Sequence, residues 1–399
     1  MHSPEIAHPS CVAVQVAVVD LLASWAVFPT RVIGHSSGEI PAAYAAGKLS
    51  REAAWKVAYY RGEVSAKQLS AKGAMLAVGL NEEKLQPYLR KVRDGRTGEL
   101  VIACYNSPNS QTVSGDEGLV DSLMADLVTD GHFARKLRVQ NAYHSAHMKE
   151  VAQVYLDRLG SLPGPPQSPP HETYMFSSLT GKRVEATNLD AQYWVDNLVS
   201  PVRFTDGLAG LCLDPVSHGQ GSLKVNSKVD KVFVDQIVEI GPHNTLQGPI
   251  REIITAKGVK SPVEYLPILN RNIPSTEVLL ESMGKLCTRG CHIDVEIVNR
   301  AARPAEKAHP KMLTDLPPYR FNHSDKTLYI SRLAKNIRFR TAPRHDLLGA
   351  PVPDWNTQNP KWRHFFRLDE LPWLRDHVVS CVKAKNESLI GATSNLSMH

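Results

Sequence analysis

Cysteine is scarce in this chain. Six are scattered over 399 residues, at positions 11, 104, 212, 287, 291 and 381. No two form a C-x-x-C pair, so neither a disulfide framework nor a zinc site is expected, and reduced thiols in a cytoplasmic protein are the default. Runs of Lys and Arg are also missing. Basic residues outnumber acidic ones only 46 to 40, a mild, dispersed excess that argues against a dedicated nucleic-acid surface. A bilayer span needs about 20 consecutive apolar residues. The longest apolar stretch, Cys11 to Phe28, is broken by Gln15, Asp20 and Ser24 and has no basic region before it. It reads as a buried amphipathic helix rather than a membrane segment or signal peptide. Internal repeats are absent. With 42% hydrophobic and 22% charged residues, the chain has material for a large core and length for two to three domains.

Residues 30–46 carry the sharpest local pattern. A β-branched run, Thr30 to Ile33, meets Gly34, Ser36 and Gly38 and then a helix-forming stretch. Strand, sharp turn and helix around Gly-x-Ser-x-Gly make a nucleophile elbow, in which small flanking residues let the chain turn and hold the serine hydroxyl clear of the sheet. The N–H of Ser37 then lies at a helix N-terminus, where developing negative charge is favoured.

A second unit spans residues 74–139. Strands are expected over Ala74–Leu80, Leu100–Tyr105, Gln111–Ser114 and Phe133–Val139. One helix is capped by Asn81, and another runs from Asp116 to Thr129 and stops at Gly131. The order β-α-β-β-α-β is ferredoxin-like, and it interrupts a larger α/β domain over 1–73 and 140–300. That domain resumes with a helix over His147–Leu159, a Pro-rich loop over Pro163–Pro170 and a strand near Tyr174–Ser178. It continues with a helix capped by Asp190, a strand over Gln236–Ile240 and a helix over Thr276–Thr288. The Ala/Pro/Lys-rich stretch Ala301 to His309 reads as a linker, and prolines at 317, 318, 343, 351, 353 and 360 leave few helices beyond it.

A serine hydroxyl needs a positioned base. Of sixteen histidines, His144 is the best candidate, because it lies where the inserted unit returns to the main domain, at a boundary where clefts form. His35 flanks the nucleophile and His147 opens a helix; both have an ordinary reading as core or surface residues. Arg61, on the second helix after the elbow, can bind a carboxylate through two parallel hydrogen bonds, against the commoner reading of a surface arginine with a buried stem.

Seven motifs then occur in order: Gly34–Glu39 (GHSSGE), Tyr60-Arg61-Gly62, Gly73–Met75 (GAM), Asn106–Pro108 with Thr112–Gly115, Tyr143-His144-Ser145, Tyr193–Asn197 running to Pro201–Phe204, and Glu239–His243 (EIGPH). Together they resemble the acyltransferase domain of a fungal iterative type I reducing polyketide synthase, over about residues 1–300. The resemblance implies an α/β-hydrolase-like large subdomain with an inserted ferredoxin-like small one. It implies that Ser36 carries the acyl group as an ester, that His144 serves as base, and that Arg61 clamps the free carboxylate of malonyl. It further implies that the backbone carbonyl of Asn197 orients the histidine in place of a triad acid, that Ser37 N–H is one oxyanion donor, and that His35 and Tyr143 line the substrate side. A bulky Tyr143 crowds a 2-methyl branch, which favours malonyl over methylmalonyl by a modest factor of about 10–200. Malonyl-CoA is then the donor and the phosphopantetheine thiol of an acyl carrier protein the acceptor, with the other domains of the parent synthase as partners. No metal or cofactor is needed for the transfer itself.

Beyond residue 310, Leu316–His323 resembles the post-acyltransferase linker (301–340). Arg344–Gly349, Trp362-Arg363 and Leu371–His377 resemble the start of a hot-dog dehydratase (341–399), whose catalytic base matches His377. Cys381 stands where that family has Gly, and no dehydratase activity is expected. The family also has a strand and a Gly-Gln-Gly turn ahead of the elbow, which supply a second oxyanion donor, and this chain starts after them. Such a donor contributes about 2.7–4 kcal/mol to transition-state stabilisation. The abrupt start and the aperiodic Cys381–His399 tail suggest a fragment or a gene model with displaced ends. Two further readings stand beside the transferase. One is an α/β-hydrolase-type esterase or thioesterase with Ser36, an Asp such as Asp235, and His243, whose chain order fits that class. The other is an inactive fragment of the synthase.

Overall fold

The computed structural model describes residues 3–67, 72–164, 171–185, 189–215, 233–258, 263–302, 314–320, 329–365, 367 and 369–375. The chain divides into two compact units, Met1–Pro310 and Lys311–His399.

In the first unit, α1 (Pro4–Ser24) leads through a loop to β1 (Arg31–Ile33), a single 3₁₀ turn (Ser36–Gly38) and α2 (Glu39–Ala45). Strand, turn and helix thus follow one another as the sequence indicates. The first helix differs from expectation. It begins seven residues before Cys11, because Pro4 is tolerated in a first helical turn, and it ends at Ser24. Val12, Val16, Val18 and Leu22 are buried while Ile6 and Val14 are exposed, so it is apolar on both faces rather than amphipathic. Among the described residues it is the one helix long and apolar enough to cross a membrane by length and composition; here its inner face joins the core against α3 (Arg51–Ser65).

Helix α3 is set by a serine cap and an alanine-rich stripe. Ser50 Oγ accepts from Ala53 N at 3.1 Å, and Ala54, Val57, Ala58, Arg61 and Val64 are buried. Arg61 falls on that stripe at helical spacing, so the surface reading of this residue fails.

The inserted unit follows as β2 (Gly73–Val78), α4 (Glu82–Arg93), β3 (Leu100–Ser107), β4 (Ser110–Asp116), α5 (Glu117–Thr129) and β5 (Ala134–Lys136). Its four strands form one antiparallel sheet in the order β3-β4-β2-β5. Asn81 caps α4 through Lys84 N at 2.8 Å. Leu85, Leu89 and Val92 of α4 and Leu119, Val120, Leu123 and Leu127 of α5 pack with Leu76, Val78, Ile102 and Val113 of the sheet into one core.

The chain then returns through a 3₁₀ turn (Ala146–Met148) to α6 (Lys149–Leu159), β6 (Tyr174–Phe176), α7 (Ala191–Val199), α8 (Phe204–Leu213), β7 (Gln236–Glu239), α9 (Gln247–Ala256), β8 (Glu264–Pro267), α10 (Ser275–Thr288) and α11 (Val295–Ala302). Strand β6 pairs in parallel with β1, and β8 in parallel with β7. Asp190 caps α7 through Tyr193 N at 2.9 Å. Helices α8 and α9 were not expected, and α11 extends through the first two residues of the expected linker. The inserted sheet is tied to the main body by two backbone bonds of 2.8 Å, Val202 N to Ala103 O and Tyr105 N to Val202 O. This fixes the mouth between the two parts.

In the second unit, α12 (Arg332–Arg338) is followed by β9 (Ala350–Pro351) and β10 (Trp362–Arg363), which pair antiparallel. His377, matched above to a dehydratase base, lies outside the described residues.

Candidate active site

The elbow is tight because Gly34 has no side chain. A Cβ there would stand 2.1 Å from Glu39 N and from Gly38 C, well inside van der Waals contact. Gly38 is different: a Cβ there meets nothing within 4 Å, and its φ of −64° suits any residue. The turn therefore needs the first glycine and not the second, a correction to the expectation that both flanks must be small. Ser36 itself takes a φ of 54°, and His144 one of 61°. Non-glycine residues held in the left-handed region cost about 1–3 kcal/mol and cluster at functional sites. Of the three such residues among those described, Ala26 lies in the loop after α1, and the other two, Ser36 and His144, are the residues that meet.

Ser36 Oγ lies 2.7 Å from His144 Nε2, and His144 Nδ1 lies 2.9 Å from the carbonyl oxygen of Ser200. A carbonyl only accepts, so Nδ1 carries the proton. Nε2 is then left with its lone pair facing the serine hydroxyl, the tautomer a general base needs. The orienting hydrogen bond comes from Ser200, three residues beyond Asn197, where it was expected. Burial, chiefly, and then the charge of Arg61 and the presence of His35 hold the His144 pKa down at about 3, partly offset by the backbone of Ser200 and Asn197. The ring is neutral at physiological pH.

Arg61 is 1% exposed. Its guanidinium donates to Asn197 Oδ1 at 2.9 Å and reaches Ser36 Oγ at 3.4 Å, while Nε is buried without a partner. Among the described residues no carboxylate pairs with it directly. Burial lowers its pKa, and nearby Tyr155, Tyr143 and Glu39 oppose that.

The side chain of Asn197 works on Arg61 rather than on the histidine. Its Nδ2 donates to Glu39 Oε2 at 3.1 Å and leans on Ser36 O at 3.4 Å. Glu39 is fully buried and accepts from Tyr193 OH at 2.6 Å, Leu179 N at 3.2 Å and Ser178 N. Four polar neighbours meet its oxygens; burial, chiefly, raises its pKa, and the hydrogen bonds from Tyr193, Ser178 and Leu179 oppose that. The chain Glu39–Asn197–Arg61 thus joins a buried carboxyl group to the guanidinium through one amide.

One cavity of about 180 Å³ holds Ser36, His144, Arg61, His35 and Tyr143 together. His35 Nε2 lies 2.7 Å from Asn106 Oδ1, whose amide nitrogen donates to Thr112 Oγ1 at 3.0 Å, so the ring is the donor in that pair. Met75, Cys104, Thr112 and Leu137 from the inserted unit and its exit close the far side, and His8 of α1 completes the wall. Ser37, at the start of the 3₁₀ turn, has an N–H that a helical first turn leaves without an intrahelical acceptor. His147 is occupied elsewhere, 3.3 Å from Asp116 Oδ1. Asp235 and His243 do not line the cavity, and the serine's partner is His144, so the hydrolase-type triad is not assembled. Glu39, Ser200 and His8 were missed from sequence. Glu39 stood within the elbow motif as a signal, but His8 had none beyond its residue type. Among the described residues no group of three His, Cys, Asp or Glu side chains stands ready to hold a metal ion.

Residues 2–293 match the family model of the acyl transferase domain. The chain is 46% identical over 378 residues to the highly reducing polyketide synthase tazB of Aspergillus terreus, covering 94% of this chain and 14% of that protein. It is 42% identical over 379 residues to the highly reducing polyketide synthase Preu1 of Preussia isomera, covering 94% and 15%. This chain therefore spans about one seventh of the length of these relatives. Among solved structures, the acyltransferase domain from module 8 of the salinomycin polyketide synthase is similar with a TM-score of 0.62 at 30% identity, over 73% of this chain and 62% of that one. A loading acyltransferase from the avermectin modular polyketide synthase follows with a TM-score of 0.60 at 27% identity, over 72% and 81%.

Proposed function

This chain belongs to the acyl transferase domain family of polyketide synthases, and from that premise we propose that it moves a malonyl unit from malonyl-CoA to the phosphopantetheine thiol of an acyl carrier protein. The observation that carries the reading is a buried guanidinium, without a carboxylate of its own, inside the cavity of a serine–histidine pair. A buried cation of that kind is costly unless paired, and the free carboxylate of a malonyl group pairs it. A cavity of about 180 Å³ is below the 300–1,000 Å³ typical of drug-sized ligands, which favours a short acyl group.

In the first half-reaction Ser36 Oγ attacks the thioester carbonyl while His144 Nε2 takes its proton. The tetrahedral oxyanion is met by Ser37 N–H. Collapse expels the thiol of CoA, which leaves with the proton from His144. In the second half the acceptor thiol gives its proton to His144 and attacks the ester carbonyl, and Ser36 leaves with that proton. Ser200 O holds the imidazole in the required tautomer and stabilises the transient imidazolium. Arg61 anchors the carboxylate, and Tyr143 crowds a 2-substituent.

Competition between malonyl-CoA and acetyl-CoA, read as the intact mass of the acylated chain, tests the assignment. Arg61→Ala is expected to lower malonyl loading and shift preference towards acetyl. Unchanged malonyl selectivity would count against the clamp.

A further inference from the structure

The reading above leaves the malonyl carboxylate short of donors. Of the Arg61 nitrogens, one terminal N is committed to Asn197 Oδ1 and the other leans towards Ser36 Oγ. A carboxylate offers about four lone-pair positions, and a guanidinium approaching edge-on, even with its free Nε, fills about two of them.

The cavity wall also contains an unused polar group. Helix α1 lies flush on α3 at Gly62, the residue after Arg61. A Cβ on Gly62 would stand 2.7 Å from Pro4 O and 3.1 Å from Glu5 Cα. That close approach puts the next turn of α1, with His8, against the cavity. The His8 ring stands 6.0 Å, centroid to centroid, from the Tyr143 ring at an interplanar angle of 57°, and it lines the same cavity as Arg61 and Ser36. No hydrogen bond occupies its nitrogens among the described residues.

We infer that His8 is a second carboxylate-binding residue, whose ring N–H shares the free carboxylate of the acyl group with Arg61. This deepens the malonyl reading and rests on it. Burial and the adjacent Arg61 charge hold the His8 pKa at about 3, so the ring enters as a neutral donor. It adds direction without adding a second buried charge. Arg61 supplies the attraction, and His8 fixes which oxygen faces which wall and so turns the thioester carbonyl towards Ser36.

The test measures acylation of Ser36 by malonyl-CoA and by acetyl-CoA in the wild type, His8→Leu, His8→Gln and Arg61→Ala. Leucine keeps bulk and removes the donor; glutamine keeps an N–H. A hydrogen bond to a charged group is worth about 10–100-fold. His8→Leu is therefore expected to lose about that factor in malonyl kcat/KM, mostly through KM, with acetyl loading close to wild type, and His8→Gln to recover most of it. An unchanged malonyl-to-acetyl ratio in His8→Leu overturns the inference, as does an equal loss of both acyl groups in both His8 variants. Survival of malonyl preference in Arg61→Ala would instead sink the clamp reading itself, and this inference with it. Should His8→Leu fail to fold, the Ser36→Ala chain decides. Its His8 ring resonance, identified by its loss in His8→Gln, should move on adding malonyl-CoA and not acetyl-CoA. No movement with malonyl-CoA overturns the inference.

Discussion

Replacing Glu39 by Gln alters one atom in the chain that holds Arg61, and the structure says what must follow. Four donors converge on the carboxylate: Ser178 N and Leu179 N on one oxygen, Tyr193 OH and Asn197 Nδ2 on the other. A glutamine offers a single oxygen. If that oxygen keeps the two backbone N–H groups, its NH₂ faces Tyr193 and Asn197. Tyr193 can turn its hydroxyl to Ser177 Oγ, already 2.7 Å away. Asn197 has no such freedom. Flipping its amide meets the new NH₂ but sets Nδ2 against the Arg61 nitrogen that lies 2.9 Å from Oδ1. One donor–donor clash remains in either arrangement, and a buried unsatisfied donor costs about 1–3 kcal/mol, more where charge is involved. Glu39→Gln is therefore expected to destabilise the fold by about 2–4 kcal/mol in urea unfolding and to cut malonyl loading of Ser36 by about tenfold or more. The compensating change is Asn197→Asp in the same chain. It moves the carboxylate one position along, so that it accepts both from the new amide at position 39 and from Arg61, and it should restore part of both losses. A Glu39→Gln chain with wild-type stability and an unchanged malonyl-to-acetyl ratio would show that this hydrogen-bond chain does not hold Arg61.

The two elbow glycines should behave oppositely. Gly34→Ala drives a Cβ to 2.1 Å from backbone that cannot move aside, so loss of cooperative folding is expected. Gly38→Ala enters open space at a helical φ and should be neutral or stabilising by up to about 1 kcal/mol in thermal melts; a shared outcome for the pair would contradict the packing described. Acid should weaken the protein. His8 and His144 have folded pKa values of about 3 against 6.5 unfolded. Below 6.5 the unfolded chain therefore takes up protons that the native one refuses, and stability falls as pH drops towards 3, at up to about 1.4 kcal/mol per pH unit for each ring. His35 shifts in the same direction, and Glu39 opposes it over the carboxylate range. Urea midpoints measured across that window should fall less steeply in His8→Gln than in the wild type.

The centre of the site was legible because its chemistry needs local sequence. A strand, a glycine that must be small and a helix start place Ser36, and the caps Asn81 and Asp190 mark their helices through side-chain bonds that short-range spacing reveals. Arg61 could be suspected from residue type, but only its neighbours at helical spacing on α3 show it to be buried. What sequence could not supply is tertiary. His8 enters the cavity through the contact of two helices at Gly62, residues apart in the chain with no periodic signal. The choice of Ser200 over Asn197 as the carbonyl facing His144 depends on how the chain leaves α7. Helix α8 contains two glycines in ten residues and lacks a side-chain cap. Its local preferences are weak, and burial of Phe204, Leu208 and Leu211 secures it instead.

The most direct measurement is the intact mass of the chain after incubation with malonyl-CoA, for the wild type, Ser36→Ala and His144→Ala. A single adduct of malonyl mass is expected on the wild type, none on Ser36→Ala, and strongly slowed formation on His144→Ala. An adduct that persists on Ser36→Ala, or a wild type that stays unmodified while cooperatively folded, would contradict this mechanism.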